Sequence, residues 1–473
     1  MADKELQAHV PLIVAGAFFM QNLDSAILNT SLPQMAASFG VPALHLSAGI
    51  TSYVLATAAC LPASGWIADR YGARRVFVLS IVLFTLASIA CGAAPGFASF
   101  ILARVAQGAA AALMAPVGRN VVLRNTPPEQ LVNAVATITW PALLAPVIAP
   151  VLGGYLTTYA SWRWNFLLNA PLGVIAVFLV LRSIPELPPE PRRAFDWVGM
   201  LLSAAGLSGM LYSLESLASP ANWLHGLWVL TVLAVVCLIA CGRHLARSAA
   251  PLVDLAPLRA ATFFSSTAGA GLWFRCTIAA TPFLLPLLFQ VGFGDSALHA
   301  GQLIMIYFLG NVGMKPFTTR TLRRFGFRSL LIANGTLSGL SILAMGFITP
   351  RTPWLPLYGL LFLAGLARSM QFTCLNTLGF ADVPKAQSSS ASALFSMLQQ
   401  IALALGVALA ASLLRVQPLL RGAGGTAQSD FRLAFVAMGV LGIASSWYFA
   451  RLPRDAGAIV SGHTAGPAAP RGG

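Results

Sequence analysis

Apolar residues in this chain gather into runs of about twenty rather than into short alternating stretches. The runs fall near 10–33, 45–66, 76–94, 97–120, 131–156, 164–182, 197–217, 226–243, 262–289, 298–318, 329–349, 354–376, 388–414 and 432–450. A helix needs about 20 mostly apolar residues to cross a bilayer. The pattern therefore predicts an all-α polytopic membrane protein with 14 transmembrane helices. The first run is far longer than the h-region of a signal peptide and reads as a retained span. Gly and Pro punctuate many runs, which membrane helices tolerate when neighbouring helices re-satisfy the backbone.

Composition agrees with this reading. Hydrophobic residues make up 57% of the 473 and charged residues 9%, against about 25% charged in soluble domains. The balance of +15 would suggest nucleic acid on a soluble protein, but position explains it here. With the N-terminus in the cytoplasm, the links on that side carry Arg70, Arg74, Arg75, Arg124, Arg192, Arg193, Arg323, Arg324, Arg328 and Lys385, among others. The other side holds Arg163, Arg351, Arg415, Arg421 and Arg432. That bias is the positive-inside rule. It places both termini in the cytoplasm and needs no nucleic-acid partner.

Two segments repeat: Asp69-Arg70-Tyr71-Gly72-Ala73-Arg74-Arg75 and Arg323-Arg324-Phe325-Gly326-Phe327-Arg328. Each links the second and third spans of a six-span block, as in secondary transporters built from two halves. The expected organisation is a bundle over 1–182, a linker with two accessory spans over 183–259, a second bundle over 260–455 and a disordered tail over 456–473.

The candidate chemistry lies in the few ionisable residues within the spans. Asp24 sits inside the first run, where a charge costs at least a few kcal/mol unless it is paired or wet. A carboxylate that can be neutralised there can carry a proton, though a purely structural ion pair is the competing reading. At 1.5 Å per residue, Asp24 and Arg104 both lie roughly 12–14 Å from the same end of their spans and can pair if those spans touch. Arg275 and Arg368 are also deep, with no acid at matching depth in the second half. An unpaired deep arginine faces a water-filled cavity or an anionic ligand, or else bonds helix carbonyls. Gln21, Asn22, Asn29, Gln371, Asn376, Gln399 and Gln400 are candidates to line the cavity, or to serve as interhelical glue.

Several chemistries are missing. The chain has no G-x-x-x-x-G-K-[ST], so it does not hydrolyse ATP. It has no H-E-x-x-H and no G-x-S-x-G. The six cysteines form no C-x-x-C and read as small apolar fillers. No enzyme activity, metal site or cofactor is expected.

The stretch Gly65-Trp66-Ile67-Ala68-Asp69-Arg70-Tyr71-Gly72-Ala73-Arg74-Arg75 resembles the loop motif of the major facilitator superfamily. The resemblance implies a cytoplasmic latch made by Gly65, Asp69, Arg70, Gly72 and Arg74. Ile101-Leu102-Ala103-Arg104-Val105-Ala106-Gln107-Gly108 is similar to the family's fourth-helix motif, whose arginine is tied to proton movement. Leu23-Asp24 through Asn29 to Leu32-Pro33, Ser161 to Pro171, and Asp196-Trp197-Val198-Gly199 resemble the branch of fourteen-helix drug:proton antiporters. Within that branch, Phe19-Met20-Gln21, Ala115-Pro116-Val117-Gly118-Arg119 and Gly313-Met314-Lys315 resemble the MdtD-type proteins. Two departures stand out. Ala145-Pro146 and Ala149-Pro150 replace the Gly-Pro of the fifth-helix antiporter motif, and Arg323 occupies the position that answers to Asp69.

The reading is a secondary transporter of a bacterial inner membrane that exports small, drug-like or amphipathic molecules against protons. Its partners are the cargo, protons and the bilayer. A proton on Asp24 would loosen its contact with Arg104 and bias the two bundles. The alternative cargo is an organic anion or a metal chelate, suited to Arg275 and Arg368. A non-transporting sensor is the remaining reading.

Overall fold

The computed structural model describes residues 2–28, 31–41, 47–186, 194–216, 227–295, 297–421 and 428–463. Among them the regular structure is entirely helical. The first half comprises α1 (Ala2–Ile27), α2 (Leu32–Phe39), α3 (Ser47–Cys60), α4 (Ser64–Tyr71), α5 (Ala73–Ala93), α6 (Phe97–Asn125), α7 (Leu131–Tyr159), α8 (Trp164–Leu167) and α9 (Asn169–Ser183). Two accessory helices follow, α10 (Trp197–Ser216) and α11 (Leu227–Arg247). The second half comprises α12 (Ala261–Thr267), α13 (Ala270–Leu287), α14 (Ala297–Gly313), α15 (Lys315–Met345), α16 (Trp354–Leu378), α17 (Ser388–Arg421) and α18 (Gln428–Tyr448), with a short α19 (Ala458–Ser461) after it.

Eleven helical stretches among the described residues are long and apolar enough to cross a membrane. The expected count of 14 is not reached by that measure. α7, α14 and α16 occupy the other three expected positions, and they are 29, 17 and 25 residues long. The stretch Lys315–Met345 is also two legs. It reverses at Gly326, whose φ of 70° only glycine adopts without strain. The first leg continues α14 and the second returns across the bundle.

The sequence repeat has a structural counterpart. Gly72 turns α4 into α5 with φ 89°, as Gly326 turns the legs of α15 with φ 70°. Two residues past each turn, an arginine donates to a backbone carbonyl at the end of its half's last long helix. Arg74 donates to Leu181 O, and Arg328 to Ala450 O at 2.8 Å. The close approaches repeat as well. A Cβ on Gly108 would strike Tyr53 O, and one on Gly365 would strike Tyr307 O. Small residues at these crossings let the backbones touch, which is how helices gain packing energy where no hydrophobic effect separates them from lipid.

α10 lies against α3 of the first half and α17 of the second. Ser208 Oγ donates to Leu55 O at 3.2 Å. Asp196 opens the accessory hairpin. It accepts from Gly199 N at 2.8 Å and from Leu252 N at 3.2 Å, and His244 Nε2 is 2.8 Å away. Burial pushes the Asp196 carboxyl up, but these donors outweigh it and hold the group below the ordinary carboxylate value. Phe195 stacks edge-on against Trp66 with centroids 4.9 Å apart, tying the linker to the loop motif.

The tail differs from expectation. Disorder from residue 456 does not hold over 456–463, because apolar contacts there offset the cost of ordering the chain. Val460 is 3% exposed, and the ring of His463 packs on Gly326 while its Nδ1 is 2.9 Å from Arg323 O. This strap touches α15 in the second half and α7 in the first. Residues 464–473 lie outside the described residues.

Gly365→Val should force α14 and α16 apart at a cost of roughly 1–3 kcal/mol. Gly359→Ala, with nothing within 4 Å of its new methyl, should leave stability unchanged or slightly raised. Thermal unfolding of the two variants in detergent checks the contrast.

Candidate functional site

Asp24 and Arg104 meet. Arg104 Nη1 lies 2.9 Å from Asp24 Oδ2, and the two side chains are 1% and 0% exposed. Four more helices complete the site. Gln107 Nε2 donates to Asp24 Oδ1 at 2.9 Å and Asn169 Nδ2 to the same oxygen at 2.7 Å. Ser88 Oγ accepts from Asn169 at 2.8 Å and gives its own proton to Phe166 O at 2.9 Å. On the arginine side, Nη1 also donates to Gln107 Oε1 at 2.6 Å, Nε donates to Gly49 O at 3.1 Å, and the guanidinium lies 4.4 Å from the Tyr53 ring centre. A buried charge pair is tolerable only when its spare lone pairs and protons are filled in this way. The packing around it is apolar: Leu23 and Ile27 flank Asp24 along α1 and cluster with Ala145 and Ala149 of α7. The alanines that replace the expected glycines thus still permit close packing at this point.

A neighbouring face of α1 looks elsewhere. Phe18, Gln21 and Asn22 line a cavity of about 250 Å³ between the halves, near the lower end of the range for small-molecule sites, about 300–1,000 Å³. Arg119 of α6, Phe372 and Asn376 of α16, and Gln399 and Gln400 of α17 line it from the other sides. Arg119 and Arg275 both lie over the Phe395 ring, at 4.3 and 4.8 Å. Arg275 donates to Asn376 Oδ1 at 3.1 Å, while its Nη1 has no partner. Among the described residues, no carboxylate lines this cavity.

Below the cavity, the halves are joined at the arginine-rich face, the one bearing Arg70, Arg124 and Arg323. Arg124 pairs with Asp69 at 3.2 Å and donates to Ser388 Oγ at 3.2 Å. Ser388 Oγ donates to Asn120 Oδ1 at 2.6 Å, and Ser389 Oγ to Gly65 O at 2.9 Å. Arg119 reaches Ser396 Oγ at 3.0 Å, and Thr319 Oγ1 donates to Asn133 Oδ1 at 2.7 Å.

These observations agree with comparisons to known proteins. The Major Facilitator Superfamily profile matches residues 14–407. The chain belongs to that superfamily. Two relatives are MdtD proteins, provisionally named for multidrug resistance. That of Escherichia coli strain CFT073 is 38% identical over 451 residues, 94% of each chain. That of Shigella boydii serotype 18 is 38% identical over 453 residues, again 94% of each. Among solved structures, the human organic anion transporter MFSD10 shares the fold at TM-score 0.64 and 17% identity, covering 94% of this chain and 98% of its own. The proton:xylose symporter XylE does so at 0.62 and 12%, covering 96% and 98%.

In this facilitator the expected residues are only partly gathered. Gln21, Asn22, Asn376, Gln399 and Gln400 share the cavity, and Arg275 backs it through Asn376. Arg368 does not line it; its guanidinium lies over Tyr307 and Phe308 of α14, at 5.6 and 5.7 Å. Gln371 does not either. It bonds Leu331 O and Asn334, each at 3.1 Å, and glues α16 to α15. Asn29 lies outside the described residues. Of the residues expected to form a latch, Asp69 pairs with Arg124 of the same half. Arg74 anchors α9, Arg70 lies 6.0 Å from the Trp66 ring, and Gly72 makes the turn. The hydropathy pattern does not single out Gln107, Asn169, Arg119, Arg124, Ser388 or Ser389.

Arg104→Leu should cost about 3–5 kcal/mol by stranding a buried carboxylate. The double variant Asp24→Asn/Arg104→Gln should recover most of that loss. A double-mutant cycle on unfolding temperature measures both.

Proposed function

We propose that this facilitator is a secondary transporter that exports small molecules in exchange for protons across a bacterial inner membrane. In this reading the chain crosses fourteen times and both termini are cytoplasmic, so the arginine-rich face is the cytoplasmic one. The halves are the bundles 1–182 and 260–455, and 183–259 is an accessory insert. One observation carries the proposal. α1 presents Asp24 to Arg104 and, within two turns of it, Phe18, Gln21 and Asn22 to the central cavity. Whatever changes the first contact moves the second surface.

The joined arginine-rich face supports a state closed to the cytoplasm, from which a proton reaches Asp24 from outside. Neutral Asp24 no longer repays the desolvation of Arg104. Its donors Gln107 and Asn169 then face a weaker acceptor, and α1 is free to shift. The cytoplasmic joint at Asp69–Arg124 and Ser388 is the contact that breaks as the cavity turns inward, since bonds at helix ends switch between two arrangements. Cargo then binds from the cytoplasmic side, and loss of the proton inward resets the pair.

For the cargo, MdtD relatives point to drug-like amphipathic molecules. Arg119 in a cavity without an acid favours a second reading, an organic anion.

The test is proton movement in proteoliposomes under an imposed pH gradient, with lipophilic cations in one arm and aromatic carboxylates in the other. Cargo-triggered proton release that falls at least tenfold in Asp24→Asn supports antiport. Unchanged release in that variant removes Asp24 from the mechanism. A response confined to carboxylates, and lost in Arg119→Gln, selects the anionic cargo.

A further inference from the structure

The second half holds two cations at mid-membrane that the mechanism above does not use. Lys315 lies eleven residues before the turn of α15, and Arg368 ten residues before the end of α16. At 1.5 Å per residue both are about 15 Å from the arginine-rich face. Lys315 Nζ donates to Thr373 Oγ1 at 2.9 Å, and its charge lies within interaction range of Arg368. Arg368 is half-buried, and its Nε and Nη1 are buried without any partner. Asn311 is 1% exposed, and neither its Nδ2 nor its Oδ1 has a partner. These groups share one seam. A Cβ on Gly365, one turn before Arg368, would lie 2.9 Å from Asn311 N.

The accounting at this seam is one-sided. Among the described residues, Arg368 and Asn311 carry buried donors without acceptors here, and Asn311 Oδ1 is a buried acceptor without a donor. The acids of the second half stand at the ends of its helices: Asp295 before α14, Asp382 after α16, Asp430 at the start of α18 and Asp455 after it. A buried guanidinium with free N–H groups calls for a negative acceptor.

We propose that the α14–α16 seam binds one small anion, held by Lys315, Arg368 and Asn311. The ligand is a monoanion, either a free halide or the carboxylate of a cargo molecule. The site is separate from the Asp24 pair and does not depend on proton coupling or on the direction of transport.

The experiment uses the full chain in a non-ionic detergent at fixed ionic strength. Sodium sulfate, a dianion outside the proposed class, is replaced stepwise by chloride, bromide or acetate, and the unfolding temperature is followed. Wild type should gain roughly 2–4 °C along a saturating curve. Lys315→Met and Arg368→Gln should flatten it, while Lys315→Arg should keep it. If a charge variant fails to fold, Asn311→Leu, which removes the amide but no charge, should raise the half-saturating concentration at least threefold. A response to halides alone assigns the site to a free ion, and a response to acetate alone assigns it to a carboxylate. Equal curves for wild type and variants, or no response to any anion, overturn the proposal.

Discussion

A carboxylate and a guanidinium buried in one bundle must find each other, and the rest of the first half is arranged around that demand. Asp24 and Arg104 come from helices 80 residues apart in the chain. Holding them at 2.9 Å fixes α1 against α6. Filling the leftover lone pairs recruits Gln107, and Asn169 at the first turn of α9. Filling the leftover protons recruits Gly49 O of α3. The polar network therefore sets the mutual register of helices whose apolar surfaces alone would slide. Apolar packing between membrane helices is nearly indifferent to register, whereas unfilled polar atoms in lipid are not.

The two halves share a backbone plan and differ in charge. Tyr53 and Tyr307, Gly72 and Gly326, and Arg74 and Arg328 occupy matching places. The first half neutralises one deep arginine, Arg104, internally. The second leaves Arg275, Lys315 and Arg368 without a carboxylate among the described residues. A repeat doubles the scaffold, and point changes on one copy then divide the labour between an ion pair and open cationic positions.

Much of this was legible in the residues. The apolar runs mark the rods, and the depths of Asp24 and Arg104 match because a helix rises uniformly. The turn motif around Gly72 and Gly326 is visible because only glycine takes that backbone angle. What stayed hidden depends on which face of a helix meets which neighbour. Arg368 is as deep as expected but faces α14, and Gln371 is polar and deep yet points into its own bundle. Arg119 escaped because hydropathy ends its run near 120, while the helix continues to Asn125 and carries it further inside. Lys315 sits deeper than its run suggests for the same reason, since its leg extends to the turn at Gly326. Ser388 and Ser389 are unremarkable in sequence and matter only because the first half's Asn120, Arg124 and Gly65 come to rest on them.

The strap over 455–463 bears on assembly. It leaves the ribosome after both bundles, yet Val460 settles in a pocket with Leu123 and Leu131 of the first half and Phe380 of the second. Until it docks, that pocket is an uncovered apolar notch on the seam. The order of synthesis therefore makes sealing of this face a late step in the maturation of the protein. Both bundles can insert and pack first, and a fusion joined just after residue 463 would sit directly against the joint where they part.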